Sequence, residues 1–350
     1  MRKLFFFIAV SAIIFSCDQS ISNTTSNASP SGADIHLSEY FNYGDTGVQM
    51  AGIKMIPVKT PAGEFKVWTK RIGNNPRIKV LLLHGGPAST HQYMECFESF
   101  FPKEGVEFYE YDQLGCGNSD KPADTSLWVL DRFVEEVEQV RQAIGADSTN
   151  FFILGNSWGG LLGMQYALKY QNNMKSLIVA NMMASCPEYG KYAEEVLAKQ
   201  MDPKVLAEIK SIEAKGDFNN PRYMELLGPN FYNEHLCRLN PWPEPVTRAF
   251  ASSNQTIYVM MQGPSEFGIG GNLANWDIKN RLKEIRIPTL MIGAKHDTMD
   301  PKAMEEQSKL VQHGRYLYCP NGSHLSMWDD QQVFMNGVIT FIRDVDSGKF

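Results

Sequence analysis

Residues 155–159 read Gly-Asn-Ser-Trp-Gly, a Gly-x-Ser-x-Gly motif of the type that presents a serine nucleophile. An apolar run at 151–154 precedes the motif and residues with helical spacing follow it, which predicts a strand, a tight turn and a helix. Such a turn lifts the Ser157 hydroxyl above the sheet edge, and small residues at Gly155 and Gly159 let the backbone and the helix approach closely. Alternatively, the two glycines serve only a strand–helix turn.

A serine hydroxyl becomes an effective nucleophile when a base takes its proton and an acidic group orients that base. In hydrolases built on this turn, the acid and then the histidine follow the serine along the chain. Asp297 comes after an apolar strand predicted at 287–293, and His324 comes after a shorter strand at 315–319. The order and the loop placement favour a Ser157–Asp297–His324 triad.

The two downstream residues also have structural interpretations. Asp297 alone could cap a turn or a helix, and His324 alone could be a surface histidine. His296 is a rival base, but it precedes the acid on the same loop, which favours a structural role.

Acyl transfer also needs hydrogen-bond donors for the negative oxygen of the tetrahedral intermediate. An apolar strand predicted at 78–83 leads directly into His-Gly-Gly-Pro at 84–87. We predict that the backbone N–H groups of Gly86 and Trp158 form this oxyanion hole. Trp158 follows the nucleophile, and Gly86 has no side chain to block a close approach. A plain Gly-Pro turn is the alternative for residues 84–87.

Several motifs, in this order along the chain, resemble the proline iminopeptidase family of α/β-hydrolases, in particular its tricorn-interacting aminopeptidase branch. The likeness spans roughly residues 45–345. The motifs are His-Gly-Gly-Pro at 84–87, Tyr-Asp-Gln-Leu-Gly-Cys-Gly-Asn-Ser at 111–119, Gly-Asn-Ser-Trp-Gly-Gly at 155–160, Met-Gln-Gly-Pro-Ser-Glu-Phe at 261–267, Trp-Asp-Ile at 276–278 and Gly-Ser-His at 322–324.

The resemblance implies an enzyme that removes an N-terminal residue, preferentially proline, from short peptides and that needs no metal or other cofactor. It also implies that Glu266 binds the cationic α-amine, which would be costly to bury under a cap without an opposite charge. Glu266 could instead cap a helix or form a surface ion pair. Ala88 and Thr298 depart from the family pattern, which commonly has glycine at the first position and in some members a second glutamate at the other. Glu234 and Glu244 are weaker candidates for that second carboxylate.

The pattern of strands predicts an α/β protein with a mostly parallel, eight-stranded sheet. Together with the resemblance, it predicts the α/β-hydrolase fold, with core segments at 45–183 and 263–350. Residues 48–57 and 63–70 are expected to form an antiparallel opening pair. The other strands, which alternate with helices such as 131–144, are expected at 78–83, 106–111, 151–155, 176–180, 287–293 and 315–319.

Residues 184–262 show a different pattern, with helical pieces interrupted by prolines. We predict a helical cap there, inserted after the sixth strand and covering the triad. Its clearest helices are expected at 192–200 and 203–215. We assign the aromatic side chains of Phe231, Tyr232 and Trp242 to packing, with substrate contact as the alternative.

The first 17 residues have the features of a bacterial lipoprotein signal peptide. Arg2 and Lys3 precede an apolar run at 4–15 that is too short to span a bilayer, and Ile-Phe-Ser-Cys at 14–17 resembles a lipoprotein processing box. We predict lipidation of Cys17, a flexible tether at 18–44, and a location on a membrane of the bacterial cell envelope, facing the periplasm or the outside. An ordinary signal peptide or a retained helix is the alternative.

The composition fits one mid-sized enzyme. The chain has 350 residues and a net charge of −6 with interspersed signs, which gives no indication of a nucleic-acid partner. There is no metal-ligand spacing, and five cysteines lack close pairing and are expected to be buried free thiols: Cys96, Cys116, Cys186, Cys237 and Cys319. The predicted function is a serine aminopeptidase. An esterase with the same triad and a non-catalytic binding lipoprotein are the alternatives.

Overall fold

A computed structural model describes residues 37–44, 50–218 and 220–350 of the chain. Eight strands form one sheet in the order β1-β2-β4-β3-β5-β6-β7-β8. The strands are β1 Ile53–Thr60, β2 Gly63–Ile72, β3 Lys79–Leu83, β4 Glu107–Asp112, β5 Phe151–Asn156, β6 Ser176–Ala180, β7 Thr289–Ala294 and β8 Gly314–Cys319. β2 is antiparallel to β1 and to β4. The six strands β3 to β8 are parallel to one another. The mostly parallel, eight-stranded sheet predicted from the sequence is confirmed.

Twelve α-helices lie among the described residues, together with shorter 3-10 and π segments. The helices are α1 Leu37–Tyr40, α2 Leu130–Ala143, α3 Trp158–Tyr170, α4 Cys186–Tyr192, α5 Pro203–Ala214, α6 Pro221–Leu227, α7 Asn233–His235, α8 Glu244–Ala251, α9 Gln255–Met261, α10 Pro301–Leu310, α11 Ser326–Asp329 and α12 Gln331–Asp346. None of the helices in the described ranges is long and apolar enough to cross a membrane.

The two faces of the sheet carry separate apolar cores because successive side chains of a strand point to opposite faces. On β3, Leu81 and Leu83 pack in the core that includes α2 and α3. Val80 and Leu82 pack in the opposite core, which includes α12 and a 3-10 helix at His91–Ser99. The central strands are buried on both faces, so they read as continuous apolar runs in the sequence.

The first strand begins and ends later than predicted. β1 runs from Ile53 to Thr60 instead of 48–57, and it continues through Pro57. Because β1 lies at the edge of the sheet, a proline with no N–H group is tolerated there.

Part of the range predicted as a tether packs on the core. Tyr40 is buried, and its hydroxyl donates a hydrogen bond to the carbonyl of Val106, 2.9 Å away. The predicted signal peptide, Cys17 and the rest of the tether up to residue 36 lie outside the described residues. The five other cysteines are free and buried, as expected.

The chain between β6 and β7 forms the helices α4 to α9. These segments have an apolar cluster of their own, which includes Ile209, Leu227 and Phe231. The helix predicted at 203–215 is α5. The one predicted at 192–200 is instead a π-helical turn, Ala193–Leu197, followed by a 3-10 turn, Ala198–Gln200. That residues 184–262 form a separate cap domain stays a prediction.

The turn between β5 and α3 depends on close contact between backbone segments. Ser157 has φ 56° and ψ −127°, an unfavourable conformation for a residue with a side chain. A Cβ atom at Gly155 would overlap the carbonyl of Gly159, and one at Gly159 would overlap the carbonyl of Leu83, at the end of β3. The two glycines therefore let α3 begin directly against the sheet.

A methyl group at Gly159 is expected to disrupt this contact. Gly159→Ala has to push α3 away from β3, so we expect it to lower the free energy of unfolding by about 1–3 kcal/mol. Gly190→Ala, in open space on α4, is the matched control and is expected to be neutral or stabilising by up to about 1 kcal/mol. Urea denaturation measures both, and equal stability of the two variants would contradict the prediction.

Candidate active site

Asp297 and His324 lie on loops that follow neighbouring strands, β7 and β8. Oδ1 of Asp297 is 2.7 Å from Nδ1 of His324, and both side chains are almost completely buried. A carboxylate on Nδ1 keeps the proton on that nitrogen and leaves Nε2 of the neutral ring free to accept one. Nε2 of His324 is buried and has no hydrogen-bond partner within the described part of the chain.

The charges around His324 favour its protonated form. Burial lowers the pKa of His324, but the charge of Asp297, its hydrogen bond to the ring and the charge of Glu266 raise it, and the net shift is upward. A raised pKa makes the ring a stronger base when it is neutral.

Ser157 occupies the strained turn between β5 and α3 and lines the same pocket as His324. Its backbone N–H donates to the carbonyl of Ala180, at the end of β6, over 3.0 Å. Ser157 is only 7 % exposed. The serine and the histidine predicted from the sequence therefore share one pocket, and Asp297 supports the ring of His324 from behind.

Both predicted oxyanion-hole residues line a space that Ser157 also lines. Gly86 lines the pocket and has φ 109°, a conformation that favours glycine. Trp158 is the first residue of α3, so its N–H group has no partner within the helix. Its indole N–H donates to Gln113 Oε1 over 2.8 Å, which holds the side chain in place.

A buried histidine supports the loop that carries Gly86. His84 is 2.9 Å from the carbonyl of Gly85 through Nδ1, and its Nε2 accepts a hydrogen bond from the Gln113 N–H over 3.2 Å. Burial lowers the pKa of His84 to about 4, so the ring is neutral at pH 7. A neutral ring that donates through Nδ1 and accepts at Nε2 satisfies both contacts.

One hydrogen-bonded chain connects three loops of the site. The Tyr93 hydroxyl accepts from the Gly85 N–H over 2.6 Å and donates to Asn156 Oδ1 over 3.0 Å. The amide of Asn156 then donates to the carbonyl of His324 over 3.3 Å. These bonds fix the loop of Gly86, the nucleophile turn and the histidine loop relative to one another.

Glu266 is a buried carboxylate in the same pocket, 7 % exposed. The Tyr258 hydroxyl donates to Glu266 Oε1 over 2.7 Å, and the Tyr189 hydroxyl donates to its backbone carbonyl over 2.6 Å. Burial raises the pKa of Glu266, while the nearby His324 and the hydrogen bond from Tyr258 oppose the shift. The protein offers little to balance the negative charge of this carboxylate. A cation bound beside it would do so.

The pocket has about 690 Å³ of empty space, counted out to its open mouth, and it is walled by core loops and by helices of the β6–β7 segment. A second, smaller chamber has about 220 Å³ of empty space and is also lined by Glu266. Ser157 and Glu266 line both spaces, whereas His324 lines only the larger one and Trp158 only the smaller one.

Three side chains considered from the sequence do not reach the pocket. Glu234 contacts Nδ1 of His296 at 2.9 Å, and Glu244 pairs with Arg248 at 3.0 Å. Both carboxylates are about half exposed or more, and neither they nor His296 line the pocket. Their place in the sequence suggested a second amine-binding carboxylate, but ion pairs on the surface hold them elsewhere.

Two supporting residues were missed or underestimated by the sequence analysis. Asn181 directly follows β6 and has φ 56°; its amide donates to Asp297 Oδ2 over 2.7 Å. Its position at the carboxyl end of a strand was the available signal. The hydroxyl of Thr298 lies 3.0 Å from His324 Nδ1, so this departure from the family pattern places a neutral group beside the Asp297–His324 pair.

Comparison with known proteins agrees with this geometry. Residues 79–331 match the family model described as the alpha/beta hydrolase fold. The proline iminopeptidase of Flavobacterium johnsoniae is 75 % identical over 84 % of this chain and 99 % of its own length. That of Elizabethkingia meningoseptica is 70 % identical over 85 % of this chain and 100 % of its own length. The chain belongs to the proline iminopeptidase family of α/β-hydrolases.

A solved structure from the same family has the same fold. The crystal structure of the proline iminopeptidase of Mycobacterium smegmatis superposes with a TM-score of 0.75 at 28 % identity, covering 85 % of this chain and all of that one. The family and the fold class predicted from the sequence are confirmed. The roles of the individual site residues stay predictions.

The influence of Glu266 on His324 is testable through the pH profile. The negative charge of Glu266 stabilises protonated His324 and so raises its pKa. Glu266→Gln removes this charge, the pKa of His324 falls, and the ring stays neutral to lower pH. With a neutral ester that lacks an amine, the acid limb of kcat/KM is therefore expected to move to lower pH. Glu234→Gln, outside the pocket, is the control, and an unmoved or upward-shifted limb in Glu266→Gln would refute the coupling.

Proposed function

We propose that this protein is a serine aminopeptidase that releases N-terminal residues, preferentially proline, from short peptides. The observation that carries the proposal is a buried carboxylate, Glu266, in one pocket with Ser157 and His324. The membership of the proline iminopeptidase family supports the same activity.

The proposed reaction proceeds through an acyl-enzyme. His324 Nε2 takes the proton of Ser157 as the hydroxyl oxygen attacks the first peptide carbonyl, and Asp297 stabilises the resulting imidazolium. The N–H groups of Gly86 and Trp158 stabilise the oxyanion. Protonated His324 then gives its proton to the departing amine. Water, activated by the same histidine, releases the amino acid.

Glu266 would restrict this chemistry to substrates with a free N-terminus. Its carboxylate accepts a hydrogen bond from Tyr258, and its remaining acceptor sites face a pocket that a substrate amine can enter. A cationic amine beside Glu266 places the first carbonyl near Ser157, since both residues line both spaces of the site. Cleavage would then occur after the first residue only.

An esterase with the same triad is the main alternative. A neutral acyl group gains nothing from a buried carboxylate, which carries a desolvation cost and repels developing negative charge. The family membership together with Glu266 therefore favours the peptidase over the esterase.

Glu266→Gln separates the two functions. We expect it to lower kcat/KM far more for prolyl naphthylamide than for a neutral nitrophenyl ester, because the substrate amine loses its counter-charge. The difference corresponds to about 2–4 kcal/mol of activation free energy. Ser157→Ala is the control and is expected to reduce both activities by several orders of magnitude while the protein stays folded. Equal losses in Glu266→Gln would assign Glu266 to structure and favour the esterase.

We also propose that the protein is a lipoprotein attached through Cys17 to a membrane of the cell envelope. The proposal is supported by the basic start, the short apolar run and the Ile-Phe-Ser-Cys sequence at 14–17. A diacylglycerol on the thiol and a further acyl chain on the new amine would give stable anchoring, which a single chain does not.

Cys17→Ser tests the anchor. The variant cannot accept the lipid, so we expect mature protein to leave the membrane fraction and to lose label from a radioactive fatty acid. Cys96→Ser, at a buried core thiol, is the control and is expected to remain labelled. Equal labelling of the Cys17→Ser variant and the wild type would refute the proposal.

A further inference from the structure

The position of His324 indicates where the leaving part of a substrate lies. The base that activates the serine later protonates the departing amine, so the residue after the cleaved bond lies on the histidine side of the nucleophile. His324 lines the larger pocket but not the smaller chamber. The second residue of a peptide therefore enters the larger pocket.

The wall beside His324 is apolar. The backbone N–H groups of His324 and Leu325 donate to the carbonyls of His235 and Leu236, each over 2.9 Å. This pairing places Leu236 next to the histidine loop, and both leucines line the pocket.

The apolar surface continues to the mouth of the pocket. Phe250 and Met224 also line it, and Met224 is 46 % exposed. The polar side chains nearby, Ser253 and Gln255, carry no charge. No lysine or arginine lines either the pocket or the chamber within the described ranges.

Three arginines are close in sequence to this wall, but each is paired with a carboxylate outside the pocket. Each lies two positions from a lining residue: Arg222 from Met224, Arg238 from Leu236 and Arg248 from Phe250. All three pair with carboxylates that do not line the pocket, namely Glu208 at 2.9 Å for Arg222, Glu234 at 3.5 Å for Arg238, and Glu95 at 2.9 Å for Arg248. The wall therefore offers no cation to a substrate.

We propose that the pocket selects peptides whose second residue is apolar and whose carboxyl group is neutral or extends beyond the mouth. This inference rests on the proposed aminopeptidase function. The free carboxylate of a dipeptide would enter a pocket whose fixed acidic group is Glu266 and whose wall holds no lysine or arginine, so it loses water without gaining a cationic partner. An amide-capped dipeptide or a longer peptide avoids this cost.

Matched substrates measure the selection. At pH 7 the wild-type protein is expected to cleave Pro-Leu-NH₂ with a kcat/KM about tenfold or more above that for Pro-Leu, whose carboxylate is ionised. Pro-Asn-NH₂ is likewise expected to exceed Pro-Asp-NH₂, which has nearly the same shape and one added charge. Equal or inverted efficiencies within these pairs would overturn the inference.

A cation added at the mouth tests the location. Met224→Lys is expected to reduce the amide-to-acid preference by about two- to fivefold, the modest effect of a half-exposed ion pair. Met224→Gln controls for shape, and Val196→Lys, exposed and outside the pocket lining, controls for added charge; both are expected to keep the wild-type preference. The assignment of this wall to the second residue is wrong if Met224→Lys keeps the wild-type preference for the amide. It is also wrong if Val196→Lys reduces that preference equally.

Failure of this inference is distinguishable from failure of the proposed function. Cleavage of both Pro-Leu-NH₂ and Pro-Leu at the same efficiency leaves the aminopeptidase in place and overturns only the selection. Hydrolysis of the nitrophenyl ester with no cleavage of any prolyl amide overturns the function and the selection together.

Discussion

The close contact between the start of α3 and the end of β3 is the constraint on which the rest of the site depends. It is possible because Gly159 has no side chain to collide with the Leu83 carbonyl, and it forces Ser157 into a backbone conformation with positive φ. The same contact brings the first N–H groups of α3 beside the loop of Gly86. Ser157 and the N–H groups of Gly86 and Trp158, the proposed nucleophile and oxyanion donors, would thus be positioned by one contact between backbone segments, which leaves little freedom for either to move independently.

Charge is the second organising factor. Glu266, His324 and Asp297 are all buried, so their interactions are weakly screened and each influences the others. Two carboxylates and one imidazole leave the resting site with an excess of negative charge when the ring is neutral. In the proposed reaction, a cationic substrate amine would compensate that excess at Glu266, and Asp297 would stabilise the imidazolium. The site is therefore electrostatically suited to an amine-bearing substrate before any specific contact with its side chain is made.

The sequence predicted the parts of the site that follow strands. Ser157, Asp297, His324 and Gly86 lie in the loops that follow β5, β7, β8 and β3, and the carboxyl ends of parallel strands meet at one edge of the sheet. Tyr93 could not be predicted, because it lies in a 3-10 helix and reaches Asn156 only through tertiary packing. The position of Glu234 was uncertain for a similar reason. Helix packing decides whether a carboxylate of the helical segment faces the pocket or pairs with a surface cation. The irregular apolar spacing of this segment does not specify that packing.

The backbone pairing of residues 324–325 with residues 235–236 connects the proposed catalytic base with the pocket wall that would contact the substrate. The segment that carries the proposed base receives part of its support from the helical segment between β6 and β7, and the same contact presents Leu236 and Leu325 to the pocket. A charged side chain introduced into this wall would alter the field at His324 as well as the affinity for the leaving residue. An apolar wall therefore leaves the pKa of the proposed base under the influence of Asp297 and Glu266. The same lack of charge means that the wall cannot recognise a leaving residue through charge.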